Sequence, residues 1–427
     1  MSFLSEYDGL AKASDDPKKV GMAQAGLVQK WLFGQAFELF EELRETRPVF
    51  ASPAATIVTQ YRDVREVLEQ DAVFSVKTYA PKVQNLLGGP FVLGMANTPQ
   101  YERELSIMRL AASRDDIARI RGFVTDAANG IVETAKPGGK IDVVADLTRV
   151  VAARLVADYF GVAGPDEPTL MRWMRALFWE IFINLSNDEK VRTNAESVAA
   201  ELNPYLDELI TTRRSEIEAG KEVGDDVLTR MIRLQADPST HLDDLGIRRC
   251  ITGIIIGAVD TTSKSVTQAV NQLLERPKEL AAARDAASRD DDGAVSRYVF
   301  EALRFDPQND FLYRVCERPY VLAKGTPRAT EIPAGSFVIA ATLSAMFDSA
   351  VVDDPKSFRV DRPPETYMFN GHALHTCFGQ HINQIQIPSV AKPLLALPGL
   401  RRADGEGGQI RYDGPFPDSL TLHFDAP

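Results

Sequence analysis

The 427-residue sequence contains only three cysteines, Cys250, Cys316 and Cys377, which are far apart and odd in number. A disulfide framework is therefore not expected, and this usage fits a reducing, cytoplasmic compartment. No apolar run approaches the length of a membrane span. The first twenty residues also lack the basic start and apolar core of a signal peptide, so we expect a soluble protein.

Positive charge is scarce relative to negative charge. The chain has 48 Lys and Arg residues against 60 Asp and Glu residues, giving a formal net charge of −12. This balance argues against a nucleic-acid-binding surface. Hydrophobic residues make up 44% of the chain and charged residues 25%, as in ordinary globular proteins with a large core.

The most informative stretch is F-N-G-H-A-L-H-T-C-F-G, residues 369–379. It places Cys377 ahead of an apolar segment, residues 382–397, that we expect to be a helix bent or broken at Pro388 and Pro393. A helix N-terminus favours a thiolate, which acts as a nucleophile or a metal ligand. Because no C-x-x-C lies nearby, haem iron with one axial thiolate is a better metal interpretation than zinc. A buried free cysteine remains the competing interpretation.

The first hundred residues are less regular than the rest. Residues 1–30 look loosely structured, and the P-V-F and T-I-V-T-Q segments within 48–60 predict a hairpin. Residues 78–97 are rich in Gly, Pro and small residues, which predicts a long loop of the kind that is often functional. Helical patterns then dominate residues 99–275. An aromatic run at residues 171–185 is either core packing or a lid over an apolar pocket.

One long helix is predicted over residues 243–275. Its apolar run, residues 251–259, is followed directly by Asp260 and Thr261. A buried carboxylate is costly unless it is paired or functional, and Gly257 in mid-helix costs a further ~1 kcal/mol relative to Ala. These features indicate a distorted groove with polar groups facing a partner. The alternative is that Asp260 lies on the solvent face.

Downstream of this helix, Glu301 and Arg304 stand three residues apart on a predicted helix, so they share a face and can pair. Alternating patterns at residues 311–321 and 332–341 predict strands, and the C-terminal tail is also strand-like at residues 409–412 and 419–424.

Four features now stand in a fixed order: G-A-V-D-T-T at 257–262, E-A-L-R at 301–304, F-R-V-D-R at 358–362 and H-T-C-F-G at 375–379. Together they resemble a soluble bacterial-type cytochrome P-450, a haem-thiolate monooxygenase, over nearly the whole chain. The resemblance implies a mainly α fold with a small β-rich region, in which a long central helix lies over haem in a triangular prism. It also implies a single domain over residues 1–427 and one haem b.

The resemblance assigns roles to individual residues. Cys377 matches the axial thiolate that ligates the iron and favours O–O cleavage. The other residues implied at the cofactor are His375 and Arg314 at the propionates, the loop glycines Gly371 and Gly379, Ala258 in the central helix, and Tyr101. Glu301, Arg304 and Arg362 match a structural set that holds the cysteine loop.

Asp260 and Thr261 match the family's acid–alcohol pair, which delivers protons in an otherwise dry site. The pair implies O₂ activation, used to hydroxylate, epoxidise or dealkylate a small apolar molecule. Because the chain has no flavin or iron–sulfur motif, electrons from NAD(P)H would come through a separate ferredoxin and an NAD(P)H-dependent ferredoxin reductase. One alternative is a haem-thiolate peroxygenase, or an isomerase or dehydratase of an oxygenated lipid. Another is a non-catalytic haem sensor or hydrophobic-ligand binding protein.

The cysteine loop and the central helix both depart from the family pattern. Asn370 stands where an aromatic residue is usual, and Ala373 stands where a second glycine is usual. The pair Gly257-Ala258 replaces the more usual Ala-Gly.

A third departure lies in the helix after Pro99, where the family's His-x-x-x-Arg falls on Tyr101 and Leu105. Tyr101 could still donate one hydrogen bond to a propionate, and Arg103 or Arg109 is a candidate for the missing charge. The apolar residues expected around the substrate are residues 78–95, residues 171–185, Ile254, Ile255, Phe311, Leu312 and Phe416.

Overall fold

The structure is a computed structural model that describes residues 2–12 and 15–426. It divides into two compact units. The first, which we call the sheet unit, comprises Met1–Thr78 and Asn309–Cys377, and the second, the helical unit, comprises Tyr79–Gln308 and Phe378–Pro427. Cys377 is thus the last residue of the sheet unit. The single domain expected over residues 1–427 stays a prediction.

The sheet unit is built around a five-stranded sheet with strand order β1-β2-β8-β5-β3. Strands β1 and β2 form the predicted hairpin, with Phe50 opposite Ile57, whereas β2 and β8 pair in parallel. Numbered along the whole chain, the elements of this unit are α1 Phe3–Leu10, α2 Pro17–Gly34, α3 Ala36–Thr46, β1 Val49–Ala51, β2 Thr56–Val58, α4 Tyr61–Glu69, β3 Phe74–Ser75, β5 Leu312–Cys316, β6 Tyr320–Leu322, β7 Thr330–Ile332, β8 Phe337–Ala340 and α16 Thr342–Ala345.

The prediction that residues 1–30 are loosely structured is wrong for most of this segment, because α1 and α2 cover it. The Asp16 side chain accepts hydrogen bonds from the first backbone N–H groups of α2, and Pro17 occupies the first helical position. The Phe3 ring packs edge-on against Trp31 at 5.1 Å between centroids. Local capping and one aromatic contact therefore order this segment. Residues 1, 13 and 14 lie outside the described part.

The helical unit contains most of the helices and two small sheets, β4-β12-β9 and β10-β11. Its elements are α5 Ala80–Leu87, α6 Pro99–Ala111, α7 Ile117–Ala135, β4 Lys140–Asp142, α8 Arg149–Asp158, α9 Glu167–Phe178, α10 Glu189–Glu218, α11 Val227–Leu234, α12 Asp244–Ile256, α13 Asp260–Leu274, α14 Pro277–Ser288, α15 Asp292–Phe305, α17 Gln380–Leu395, β9 Arg401–Arg402, β10 Arg411–Asp413, β11 Phe416–Ser419 and β12 Thr421–His423. Two π-helical turns, Val143–Thr148 and Trp179–Ile183, precede α8 and follow α9.

Three sequence expectations about this unit need correction. The predicted loop at residues 78–97 contains α5 and a short 3₁₀ turn. The predicted helix over residues 243–275 is two helices, α12 and α13. Pro388 and Pro393 do not interrupt α17. Both prolines are buried, and α17 packs against α7, α13, α14 and α15, so tertiary packing offsets a local cost of ~3 kcal/mol for each proline.

The mainly α fold with small β-rich regions that the sequence predicts is confirmed. Along residues 2–12 and 15–426, no helix combines the length and the apolar character needed to cross a membrane.

Candidate active site

The cysteine loop of the sheet unit is closed by its own backbone. Cys377 N–H donates a hydrogen bond to the carbonyl of Asn370 at 2.8 Å, and Gly371 N–H donates to the carbonyl of Met368 at 2.9 Å. The Thr376 hydroxyl donates to the carbonyl of Ala373 at 2.8 Å. The thiol of Cys377 is exposed, whereas those of Cys250 and Cys316 are buried. The interpretation of Cys377 as a buried free cysteine is therefore wrong.

Two positions of this loop have a left-handed backbone. Gly371 has φ of +76° and Ala373 has φ of +60°. Glycine adopts such values without a penalty, whereas an L-residue with a Cβ pays about 1–2 kcal/mol. Ala373 is one of the departures from the family pattern. Alanine there keeps the backbone shape that a glycine would adopt, at a local cost in strain.

Arg314 and His375 lie close together in the sheet unit. Arg314 is buried in β5 and donates one hydrogen bond to the Tyr313 carbonyl at 2.8 Å. Burial, together with the positive charge of Arg314, lowers the pKa of His375 to about 4, so the imidazole is neutral at pH 7. A buried guanidinium beside a neutral imidazole donor is an environment that a carboxylate would stabilise.

In the helical unit, the boundary between α12 and α13 distorts the central helix at Gly257, Ala258 and Val259. The hydroxyl of Thr261 donates a hydrogen bond to the carbonyl of Gly257. In a regular helix, that carbonyl would accept a hydrogen bond from the backbone N–H of Thr261. The central helix is therefore distorted where the sequence predicts it, and Thr261 lies in the first turn after the break.

Asp260 is buried, not on the solvent face, and it is held by two arginines. Its Oδ1 accepts hydrogen bonds from Nη2 and Nε of Arg175 at 2.9 and 3.2 Å, and it forms an ion pair with Arg149 Nε at 3.2 Å. Arg175 also reaches Asp413, which is half exposed, at 2.9 Å. Within the described residues, nothing donates a hydrogen bond to the buried Oδ2 of Asp260.

The two arginines are not equivalent partners. Burial opposes the charge of Arg175, but the carboxylate of Asp260 and the hydrogen bonds from Arg175 raise its pKa above the ordinary value. Burial dominates at Arg149 and lowers its pKa despite Asp260. The Nε of Arg149 lacks hydrogen-bond geometry toward Asp260. Arg175 is therefore the principal partner of Asp260. Sequence reasoning missed both arginines. The sequence feature that could have pointed to Arg175 is its position in a helical segment of mostly apolar and aromatic residues.

One face of the central helix borders open space. From Arg249 to Ser263, only Gly253, Gly257, Ala258 and Thr261 are partly exposed. Gly253, Gly257 and Thr261 are four residues apart, which places them along one side of a helix. A Cβ added to Gly257 would meet no atom within 4 Å. This face can thus border a cofactor or a ligand, and Ala258 belongs to it.

The remaining predicted residues of the helical unit are less informative. Tyr101 and Leu105 lie one turn apart on the buried side of α6, whereas Arg109 is exposed. Gly379 caps the N-terminus of α17 with φ of −77°, so its backbone does not require glycine.

The three residues predicted to hold the cysteine loop lie in different units: Glu301 and Arg304 in the helical unit and Arg362 in the sheet unit. Glu301 and Arg304 are both fully buried and pair through two hydrogen bonds of 2.7 and 3.0 Å, which confirms the predicted contact. Arg362 donates to the carbonyls of Asp354 and Ser357, both at 2.7 Å, in the sheet unit.

These residues fit a haem with one thiolate ligand. Cys377 has an exposed thiol, the group that ligates haem iron in such sites, and Arg314 and His375 of the same unit are residue types that bind a carboxylate. In the helical unit, the partly exposed face beside Gly257 carries the alcohol of Thr261, and the buried acid Asp260 directly precedes it in sequence. Both sets contain the residue types that haem ligation and proton delivery require.

Comparison with known proteins shows which family the chain resembles. A sequence model of the cytochrome P450 family matches residues 38–379. Mycinamicin IV hydroxylase/epoxidase of Micromonospora griseorubida is 26% identical over 372 residues, covering 85% of this chain and 88% of that protein. Steroid C26-monooxygenase of Mycolicibacterium smegmatis is 23% identical over 376 residues, covering 87% and 88%.

The fold is also similar to that of solved structures. The crystal structure of CalO2 superposes with a TM-score of 0.78 at 21% identity, covering 92% of this chain and 96% of the other. Since the family model spans most of the sequence and the relatives are covered over most of their length, the chain belongs to the cytochrome P450 family of monooxygenases.

Proposed function

We propose that this protein uses haem b, ligated by Cys377, to activate O₂ and insert one oxygen atom into a small apolar organic substrate. The observation that carries the proposal is the pairing of a buried acid with an alcohol at the break in the central helix. The names of relatives support the reaction class, since they include a hydroxylase/epoxidase, an epoxidase and a monooxygenase.

Each residue has a separate task in this proposal. The haem supplies the redox chemistry that splits O₂ and transfers one oxygen atom. Cys377 provides the thiolate, and Arg314 and His375 hold propionates through charge and hydrogen bonding. The backbone bonds that close the cysteine loop fix the sulfur without requiring a particular side chain at Asn370.

Thr261 positions water. Because its hydroxyl proton is directed to the carbonyl of Gly257, its oxygen remains able to accept a hydrogen bond from a water molecule on the open face. A water held there can donate a proton toward the reacting oxygen.

Asp260 resupplies protons through its Oδ2. The ion pairs with Arg175 and Arg149 hold Oδ1, whereas Oδ2 has no partner among the described residues. Arg175 connects this buried carboxylate to Asp413, which is half exposed. We infer that reorientation of this ion-pair chain brings Asp260 into contact with solvent between proton transfers.

Electrons would come from an acidic ferredoxin and its NAD(P)H-dependent reductase. On α6, the exposed Leu110 follows Arg109, and Arg114 stands four residues further on. Neither arginine forms an ion pair within residues 2–12 and 15–426, although the net charge of the chain is −12. An apolar residue between uncompensated arginines suits an acidic partner. Higher ionic strength should therefore slow reduction of the protein by ferredoxin.

Turnover with different electron sources tests the reaction class. Purified protein, screened with apolar substrates, should form product with NADPH, ferredoxin and reductase. Product formed with peroxide but not with this system would favour a peroxygenase. Haem binding with neither activity would contradict catalysis.

The substitution Thr261→Ala tests proton delivery. It removes the oxygen that holds the water, so we expect NADPH consumption to continue while the fraction converted to product falls, at unchanged haem content. Thr261→Ser keeps the hydroxyl and is the matched control. Equal coupling of electrons to product in the alanine variant and the wild type would remove Thr261 from the mechanism.

A further inference from the structure

The turn of the β10–β11 hairpin lies against a tryptophan that directly follows α9. Asp413 faces Phe416 across the hairpin, so the turn has two residues and begins at Gly414. Gly414 has φ of +55°, a value that favours glycine at this position of a two-residue turn. A Cβ added to Gly414 would also lie under 3.0 Å from three carbons of the Trp179 ring. The absence of a side chain at position 414 therefore allows this ring to pack against the turn.

An arginine one turn earlier contacts the same hairpin. Arg175 and Trp179 are four residues apart, which places them along one side of the helix. The guanidinium of Arg175 lies over the Phe416 ring at 5.3 Å, and its Nη1 pairs with Asp413 Oδ2 at 2.9 Å. The Trp179 ring packs edge-on against Phe416 at 6.2 Å between centroids. The hairpin is therefore contacted at its turn by the Trp179 ring and beside the turn by Arg175.

Asp413 depends on these contacts for its position. The β10-β11 sheet has only two strands and a register shift between Arg411 and Tyr412, and such a hairpin is marginal without outside packing. The side chain of Asp413 is half exposed, and within residues 2–12 and 15–426 its one ion pair is with Arg175. The second carboxylate of the hairpin, Asp418, is 3.9 Å from Arg175 and only 2.6 Å from Arg411. Asp413 is therefore the carboxylate by which the hairpin reaches Arg175.

We propose that the contact between Gly414 and Trp179 positions Asp413 for proton delivery. The proposal rests on the proposed function, in which the ion-pair chain reorients between proton transfers. Arg175 bridges the two carboxylates through separate nitrogens, Nη2 to Asp260 and Nη1 to Asp413. If the turn moves away, Asp413 no longer competes for this guanidinium, and Asp260 is held more tightly by it. Asp260 then reorients toward solvent more slowly and regains a proton later.

Gly414→Ala tests the proposal, because its methyl group would displace the turn or the ring. Gly405→Ala is the matched control, since Gly405 has φ of +68° and nothing within 4 Å of an added Cβ. Hydrogen–deuterium exchange of the holoprotein reports the packing without turnover. We expect faster exchange of the backbone N–H groups of residues 411–419 in the Gly414 variant only. The thiolate signature in the reduced CO-difference spectrum should be unchanged in both variants.

Proton delivery is measured separately, as the rate of NADPH consumption with ferredoxin, reductase and an accepted apolar substrate in H₂O and in D₂O. We expect the Gly414 variant to be about tenfold slower, since displacing a positioned group by about 1 Å can cost up to about 10²-fold. The ratio of the rate in H₂O to that in D₂O should rise, because proton transfer then limits turnover more strongly. The rate and ratio of the wild type in the Gly414 variant would overturn the proposal, whether or not exchange at the hairpin is faster. Lack of turnover in the wild type would instead contradict the proposed function.

Second substitutions separate the ring contact from general loosening. Trp179→Leu removes the ring, so it should reproduce both changes, and Gly414→Ala should add little in that background. It also serves as the test if Gly414→Ala does not fold. Asp413→Asn should likewise mask Gly414→Ala, because both act through the same carboxylate. A full additional loss from Gly414→Ala in either background would overturn the proposal.

Discussion

The cysteine loop and the break in the central helix, which have separate roles in the proposed function, are stabilised in different ways. Backbone hydrogen bonds within ten residues, from Met368 to Cys377, close the loop. Asp260 at the helix break is held instead by Arg149 and Arg175, which are 111 and 85 residues away along the chain. The cysteine loop is therefore held by local contacts, whereas the helix break depends on tertiary structure.

This difference indicates which substitutions the cysteine loop and the helix break each tolerate. A loop closed by backbone groups tolerates changes of side chain, as Asn370 and Ala373 illustrate, provided that the backbone angles are kept. A buried carboxylate tolerates little, because removing one partner of a buried ion pair leaves an uncompensated charge and typically costs about 3–5 kcal/mol. We therefore expect a substitution in the loop to abolish function only when it removes the sulfur. At the helix break, substitution of any member of the ion-pair chain should impair function.

The largest effect is expected from Cys377→Ser, which removes the sulfur and keeps the backbone of the loop. The thiolate signature in the reduced CO-difference spectrum should disappear, because a serine oxygen does not replace the thiolate at iron. Cys316→Ser is the matched control, since the Cys316 thiol is buried and donates to the Arg318 carbonyl. Survival of the signature in the Cys377 variant would show that the ligand lies elsewhere.

A smaller loss is expected from Asp260→Asn. The amide keeps an oxygen for Arg175 but cannot exchange a proton at Oδ2, so turnover should slow on the order of 10²-fold, the lower range for a general acid or base. The CO-difference spectrum should keep its thiolate signature, which separates this defect from loss of haem. Asp413→Asn, at the exposed end of the same chain, should slow turnover less. Equal turnover in the Asp260 variant and the wild type would contradict a proton role for this carboxylate.

The sequence predicted those parts of the fold that depend on local pattern. The hairpin of β1 and β2, the Glu301–Arg304 pair and the helical character of residues 99–275 follow from periodicity and spacing. The sequence predicted that α17 is bent or broken at its two prolines, and no break occurs, because the packing of that helix against four others outweighs the local penalty. The helix α5 was missed because a segment rich in Gly and Pro gives little periodic signal.

The candidate site shows the same division. Asp260, Thr261 and Cys377 were predicted as site residues because they stand in ordered motifs, and the structure places Asp260 and Thr261 at a break in the central helix. Arg149 and Arg175 were not identified, since they lie far from Asp260 in sequence and only the tertiary structure brings them to it. The contact of Trp179 with Gly414 was missed for the same reason: a glycine in a turn does not show which ring lies against it.

The smallest effect is expected from Ala373→Gly. This substitution tests whether the backbone alone controls the conformation of the cysteine loop. Glycine removes a left-handed strain of about 1–2 kcal/mol and adds about 0.5–1 kcal/mol of backbone entropy on folding. The free energy of unfolding in denaturant should therefore rise by no more than about 1.5 kcal/mol. Ala323→Gly relieves a similar φ of +54° outside the loop and should give a similar gain. If Ala373→Gly alters the CO-difference spectrum while Ala323→Gly does not, the Ala373 side chain acts on the thiolate directly, and the loop is not controlled by its backbone alone.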